Sequence, residues 1–189
     1  MAAPDVVELA LRRSAAESFE FSCEPPSGEM FAVLAAAVRT GGRVLELGTG
    51  VGVGLAWAVH GLRQRTDVTV VSVELDPNIA AVAASAAWPD WVELLVGDAE
   101  NLLPSLGRFD LIFADAPGGK WTGLQHTLNA LNQGGALLLD DMNPDRYTKP
   151  EHLEAISGVR NLLAAQEDLT LIELAIGTHL IIATKLRRP

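Results

Sequence analysis

The sequence predicts an α/β protein, a doubly wound and largely parallel sheet that finishes in an antiparallel hairpin. Three observations lead there. From Val44 onward, short apolar runs alternate with stretches of helical character, the β-α-β-α order of a right-handed wound sheet. A glycine-dense turn over 48–54 follows the first of those runs, as at a strand-to-helix connection. The last two runs, 169–175 and 179–184, are separated by Ile176-Gly177-Thr178 alone. That loop is too short for a crossover helix, so these strands must pair antiparallel.

Each element has its own signal. Val7, Ala10 and Leu11, then Met30, Leu34 and Val38, recur near helical spacing and predict helices over 4–19 and 28–39. Pro25-Pro26-Ser27-Gly28 separates them, with Ser27 placed to cap the second. Strands are expected over 44–47, 68–73, 91–96, 111–114 and 136–139, each short, apolar and flanked by turn residues, as buried parallel strands are. Helices are expected over 52–61, 78–87, 123–131 and 149–165, with a weak short one near 101–106. A chain of 189 residues suits one domain, with helices over 1–40 and the sheet core over 41–189.

Composition narrows the classes of function. No apolar stretch approaches the roughly 18 residues of a membrane span, and the first twenty residues carry Asp5, Glu8, Glu17 and Glu20 rather than a secretion signal. A cytoplasmic protein with no membrane partner is the expectation. The net charge of −10 would repel a phosphate backbone, which argues against nucleic acid. Lys185, Arg187 and Arg188 read as a solvated tail. Cys23 has no partner for a disulfide, and no Cys/His cluster or histidine spacing suits a metal; His60, His126, His152 and His179 are expected at surface or helix-end positions.

The glycine loop is the strongest chemical signal. Glycines at 48, 50, 52 and 54 let the backbone turn tightly, while the next helix offers its N-terminal N–H groups to a carboxylate or phosphate. A dinucleotide fingerprint would need a third glycine where Val53 stands, which counts against a nicotinamide oxidoreductase. Glu74 ends the second strand, where a carboxylate can accept from ribose hydroxyls, and Asp98 follows the third, placed for an adenine amino group. Open α/β sheets bind ligands at these carboxyl ends. An intact loop with Glu74 also argues against a binding module that has lost its ligand.

At the next strand ends, Asp115 follows the fourth strand and Asp140 and Asp141 the fifth. Three carboxylates around one cleft repel, and need either a cation or raised pKa values. A hard divalent ion such as Mg²⁺ is one resolution.

These segments, in order, resemble the motifs of class I S-adenosylmethionine (SAM)-dependent methyltransferases: 44–50 (Val-Leu-Glu-Leu-Gly-Thr-Gly), Glu74-Leu75-Asp76-Pro77, Gly97-Asp98-Ala99, 109–115 and 134–141. More narrowly, they resemble the catechol O-methyltransferase-like family. The resemblance implies a Rossmann-like sheet of seven strands in order 3-2-1-4-5-7-6 with the last antiparallel. It implies the SAM methionine end over Gly48, Thr49, Gly50 and Gly52, with Glu46 helping to place its amino group. The ribose would lie on Glu74 beside Leu75, and the adenine near Gly97, Asp98 and Ala99, with Asp115 also close to the cofactor. A homodimer is implied by the resemblance alone.

The family's metal ligands are an Asp after the fourth strand and an Asp-Asn pair after the fifth. Asp115 and Asp140 match, but Asp141 replaces the Asn. A lysine three residues after the first Asp is also usual; here Lys120 stands five residues on, followed by Trp121. The extra residues could loop out and restore its position. The expectation is O-methylation of a small hydroxylated or phenolic acceptor, with Lys120 and Asp115 catalytic and a divalent cation on Asp115, Asp140 and Asp141. The alternative is a metal-independent SAM methyltransferase acting on another small-molecule acceptor, a nitrogen, carboxylate or other oxygen, with Asp115 near the cofactor or acting as base. Trp121, Met142 and Tyr147 are candidate walls of the acceptor pocket.

Overall fold

The computed structural model describes residues 3–187; the tail residue Arg188 lies outside them. One seven-stranded sheet runs in the order β3-β2-β1-β4-β5-β7-β6. Its strands are β1 (Arg43–Leu47), β2 (Thr69–Glu74), β3 (Val92–Val96), β4 (Phe109–Ala114), β5 (Leu131–Leu139), β6 (Leu169–Leu174) and β7 (Leu180–Lys185). The pairs within β3-β2-β1-β4-β5 are parallel, and β7 lies antiparallel between β5 and β6. The strand order and the reversed final strand are as expected.

The central strands bury both faces, and the period of two sorts their side chains. Val44, Leu111 and Phe113 pack under α1 (Asp5–Ala16), α2 (Ser27–Ala36) and α3 (Val53–Leu62), against Val7, Phe31 and Leu55. Leu45, Ile112 and Leu137 face the opposite side, against Leu103, Leu128 and Ile156 of α5 (Ala99–Leu106), α6 (Leu124–Ala130) and α7 (Pro150–Ala164). The remaining helix is α4, Pro77–Ala84, capped by the Asp76 carboxylate on the Asn78 N–H at 2.8 Å.

Four expectations shift. Helix α1 stops at Ala16, and after a turn the chain runs without helix or strand through Phe19 and Phe21, which reach the cavity at the strand ends. Ser27 is not a cap: it is buried in the first turn, with its hydroxyl 3.1 Å from that of Thr178. Strand β5 begins at Leu131, straight after α6, and a register irregularity opposite Phe109 and Leu111 absorbs Gly134-Gly135. Lys185 closes β7, its ammonium bonded to the Leu128 carbonyl at 2.9 Å, so that residue is not solvated tail. No helix among the described residues is long and apolar enough to cross a membrane.

Candidate active site

Two cavities open at the carboxyl ends of the parallel strands. The first, about 440 Å³, is bounded by Gly48, Gly50, Glu74, Leu75 and Asp98, with Phe19 and Phe21 closing it from the N-terminal segment. Gly97, Ala99 and Asp115 line it too. Its volume falls within the roughly 300–1,000 Å³ of small-molecule and cofactor sites. The Glu74 carboxylate accepts from the backbone N–H of Gly50 at 2.8 Å and of Asp76 at 3.0 Å, tying the glycine loop to β2. Each oxygen keeps a lone pair for a further donor. Asp98 caps α5 on the Glu100 N–H and also takes the Asn101 amide, both at 2.9 Å.

Three of the expected cofactor residues lie outside this cavity. Glu46 is fully buried on the α1–α3 side of β1, its Oε2 accepting from the Ser72 hydroxyl at 2.5 Å. Thr49 joins the same chain, its hydroxyl 2.5 Å from that of Ser72. Gly52, with φ +92, is the N-cap of α3. They form the floor and hinge of the loop rather than its surface.

The second cavity, about 620 Å³, shares Phe21, Asp115 and Pro117 with the first. Lys120, Asp140, Asp141 and Cys23 stand on its polar side. Trp121, Tyr147 and His152 form an aromatic wall, with ring centroids 4.9–5.4 Å apart. Met142 is instead fully buried in the core. His152 was expected at a helix end without a role; it is near the start of α7 yet faces this cavity. The sequence did not single out Phe19, and it pointed to Phe21 and Cys23 only through the stretch 20–30, expected to help shape the acceptor pocket. A pair of phenylalanines in an acidic, aperiodic stretch was the one further signal.

A profile of the family described as a methyltransferase domain matches residues 45–142. Across 96% of its length the chain is 30% identical to a Mycolicibacterium vanbaalenii protein provisionally named an O-methyltransferase, spanning 84% of that protein. The chain belongs to the O-methyltransferase family. This methyltransferase is also 32% identical, over 75% of its length and 62% of the relative's, to the catechol O-methyltransferase of Mycobacterium tuberculosis. The O-methyltransferase of Bacillus cereus in complex with SAH superimposes with a TM-score of 0.83 at 23% identity, covering 98% of this chain and 92% of that one. That likeness shows the shared fold.

Asp115 stands where the two cavities of the methyltransferase meet. Burial raises its pKa well above the ordinary carboxylate value; Asp140 pushes it further and Lys120 opposes the shift. Asp140 is raised as well, mainly by burial, although the hydroxyls of Thr178 and Ser27 and the Asp141 N–H stabilise its charge. Burial and the Asp141 carboxylate push the Tyr147 phenol above its usual value.

The expected metal triad is not assembled. Among the described residues, no group of three or more His, Cys, Asp or Glu side chains is arranged to hold a metal ion. Asp140 spends Oδ1 on Thr178 and on the Asp141 N–H at 2.7 Å. Asp141 turns through a left-handed backbone, φ +60, and its Oδ2 meets Lys120 Nζ at 3.4 Å. With Lys120 in place, the donors therefore do not fit a shared divalent ion.

Glu46 gives the site a pH signature. Burial lifts its pKa to about 8, only partly opposed by the Ser72 hydroxyl, and its Oε1 has no hydrogen-bond partner. A Cβ on Gly54 would come within 2.2 Å of that oxygen, so α3 can approach only as glycine. Unfolded, the carboxyl ionises near 4.5; folded, it keeps its proton until about 8. The folded state binds more protons in that window, so the contribution of Glu46 to stability falls as pH rises through it. Glu46→Gln cannot ionise and is expected to gain stability relative to the unmodified chain between about pH 5 and 8. Denaturant melts across that range measure the difference; a gap that does not change with pH contradicts a neutral buried Glu46.

Proposed function

We propose that this chain transfers the methyl group of SAM to the hydroxyl of a small phenolic or otherwise hydroxylated acceptor. One observation carries the reading: Asp115 lines both the loop-and-Glu74 cavity and the aromatic-walled cavity. SAM supplies the methyl group on a sulfonium, an electrophile that needs only an aligned nucleophile. The first cavity suits it, with the backbone of Gly48 and Gly50 toward the methionine end and Glu74 free to accept from two vicinal hydroxyls. Leu75, Gly97, Asp98 and Ala99 line the rest, as an adenine would need. Glu46, Thr49 and Gly52 act on the loop from below.

In the second cavity an aromatic acceptor finds three rings to pack on. Lys120 has three donors, of which the Asp140 carbonyl at 3.1 Å and Asp141 take two. The third is available to the acceptor oxygen, lowering the cost of its negative charge as the proton leaves. Asp115 receives that proton; its raised pKa makes its ionised form a stronger base than an ordinary carboxylate. Positioning of the acceptor against the methyl group supplies much of the remaining rate enhancement.

Incubation with methyl-labelled SAM and a panel of phenols and amines of similar size is expected to label phenolic oxygens. Label confined to nitrogen would refute the acceptor class. Glu74→Ala is expected to weaken SAM binding by about 1–3 kcal/mol, the range for a lost charged hydrogen bond. Calorimetry reads this directly, and unchanged affinity would place the ribose elsewhere.

A further inference from the structure

The two residues by which Lys120 is displaced along the sequence do more than loop out. Residues 117–122 close a compact turn, in which the N–H groups of Lys120 and Trp121 donate to the Pro117 carbonyl at 3.2 and 2.8 Å and that of Gly119 to Thr122 at 2.7 Å. Gly119 adopts φ +82, and a Cβ there would lie 2.5 Å from Leu47. The Thr127 hydroxyl anchors the turn through the Gly119 carbonyl at 2.5 Å. The result is a lysine that is 1% exposed, with Nζ against the Asp140 carbonyl and the Asp141 carboxylate and 5.2 Å from the centre of the Trp121 ring. Arg146, which also lines the cavity, is engaged by Glu24 at 2.6 and 3.2 Å.

We propose that Lys120 is the built-in cation of this site, filling the place between the β4 and β5 ends that a divalent metal would otherwise take, so that methyl transfer needs no metal ion. A tethered ammonium supplies the positive charge that three neighbouring carboxylates require, and it holds the acceptor oxygen without exchanging with solvent. Its opposition to the raised pKa of Asp115 agrees with this placement. The catalytic consequence rests on the functional reading above, whereas the cation's position rests on geometry alone.

Mn²⁺ titration followed by the electron paramagnetic resonance of the free ion tests it on four proteins: the unmodified chain, Lys120→Ala, Lys120→Arg and Asp141→Asn. The unmodified chain and Lys120→Arg are expected to bind no stoichiometric Mn²⁺. Lys120→Ala leaves the carboxylates without their cation and is expected to bind one ion at least about tenfold more tightly. Binding of one Mn²⁺ by the unmodified chain that is lost in Asp141→Asn overturns the proposal. So does a folded Lys120→Ala that binds no better than its parent, folding being judged by circular dichroism. SAM calorimetry on the same samples keeps the two readings apart: absent SAM binding overturns the function, whatever the Mn²⁺ result.

Discussion

Asp115→Asn is expected to lower kcat by about 10²–10⁴, the usual worth of a positioned proton acceptor, while SAM binds within a fewfold of its original affinity. The amide matches the carboxyl in size but cannot take a proton from the acceptor. Because burial already disfavours a charge at Asp115, neutralising it relieves repulsion with Asp140 and is not expected to unfold the chain. Turnover in the unmodified enzyme is accordingly expected to rise with pH over a range displaced above that of an ordinary carboxylate. A variant with intact turnover would assign proton acceptance to another group. Single-turnover measurement with labelled SAM, beside calorimetry, separates lost chemistry from lost binding.

Gly50→Val is expected to cost SAM affinity about a hundredfold or more. Gly50 lies at φ +53, where an L side chain costs roughly 1–2 kcal/mol, and its Cβ would meet the Phe19 ring at 2.9 Å. The loop escapes by leaving this shape, which also breaks the Gly50 N–H bond to Glu74 at 2.8 Å. Cofactor binding must then restore the turn, the displaced Phe19 and that bond, which together account for the predicted loss. Calorimetry with SAM measures it. Near-normal affinity would mean that the loop does not touch the ligand.

The fold was legible because its signals are local and repeat. Apolar runs such as Val44-Leu45 and Leu137-Leu138-Leu139 declare buried strands, and the short connection at Ile176-Gly177-Thr178 forces the final reversal. Gly48 and Gly50 of the glycine loop, Glu74 and Asp98 were legible as strand-end residues, and they do line one cavity. Helix ends were less so: α1 stops early because Ser18, at φ 52, turns the chain toward the site. Phe19, Phe21 and His152 reach the cavities through tertiary packing, which has no period in the sequence. The three carboxylates looked alike as a string. Only the fold shows Asp140 committed to Thr178, Asp141 turned to Lys120 and Asp115 at the junction. The path of residues 117–122 depended on the left-handed Gly119 and on the Thr127 anchor, neither of which spacing can express.

A crystal structure of the chain with SAH tests the central claim most directly. The ribose hydroxyls are expected on the Glu74 carboxylate, with the sulfur at the meeting of the two cavities beside Asp115. SAH seated in the aromatic-walled cavity, or with its ribose on an acid other than Glu74, would contradict it.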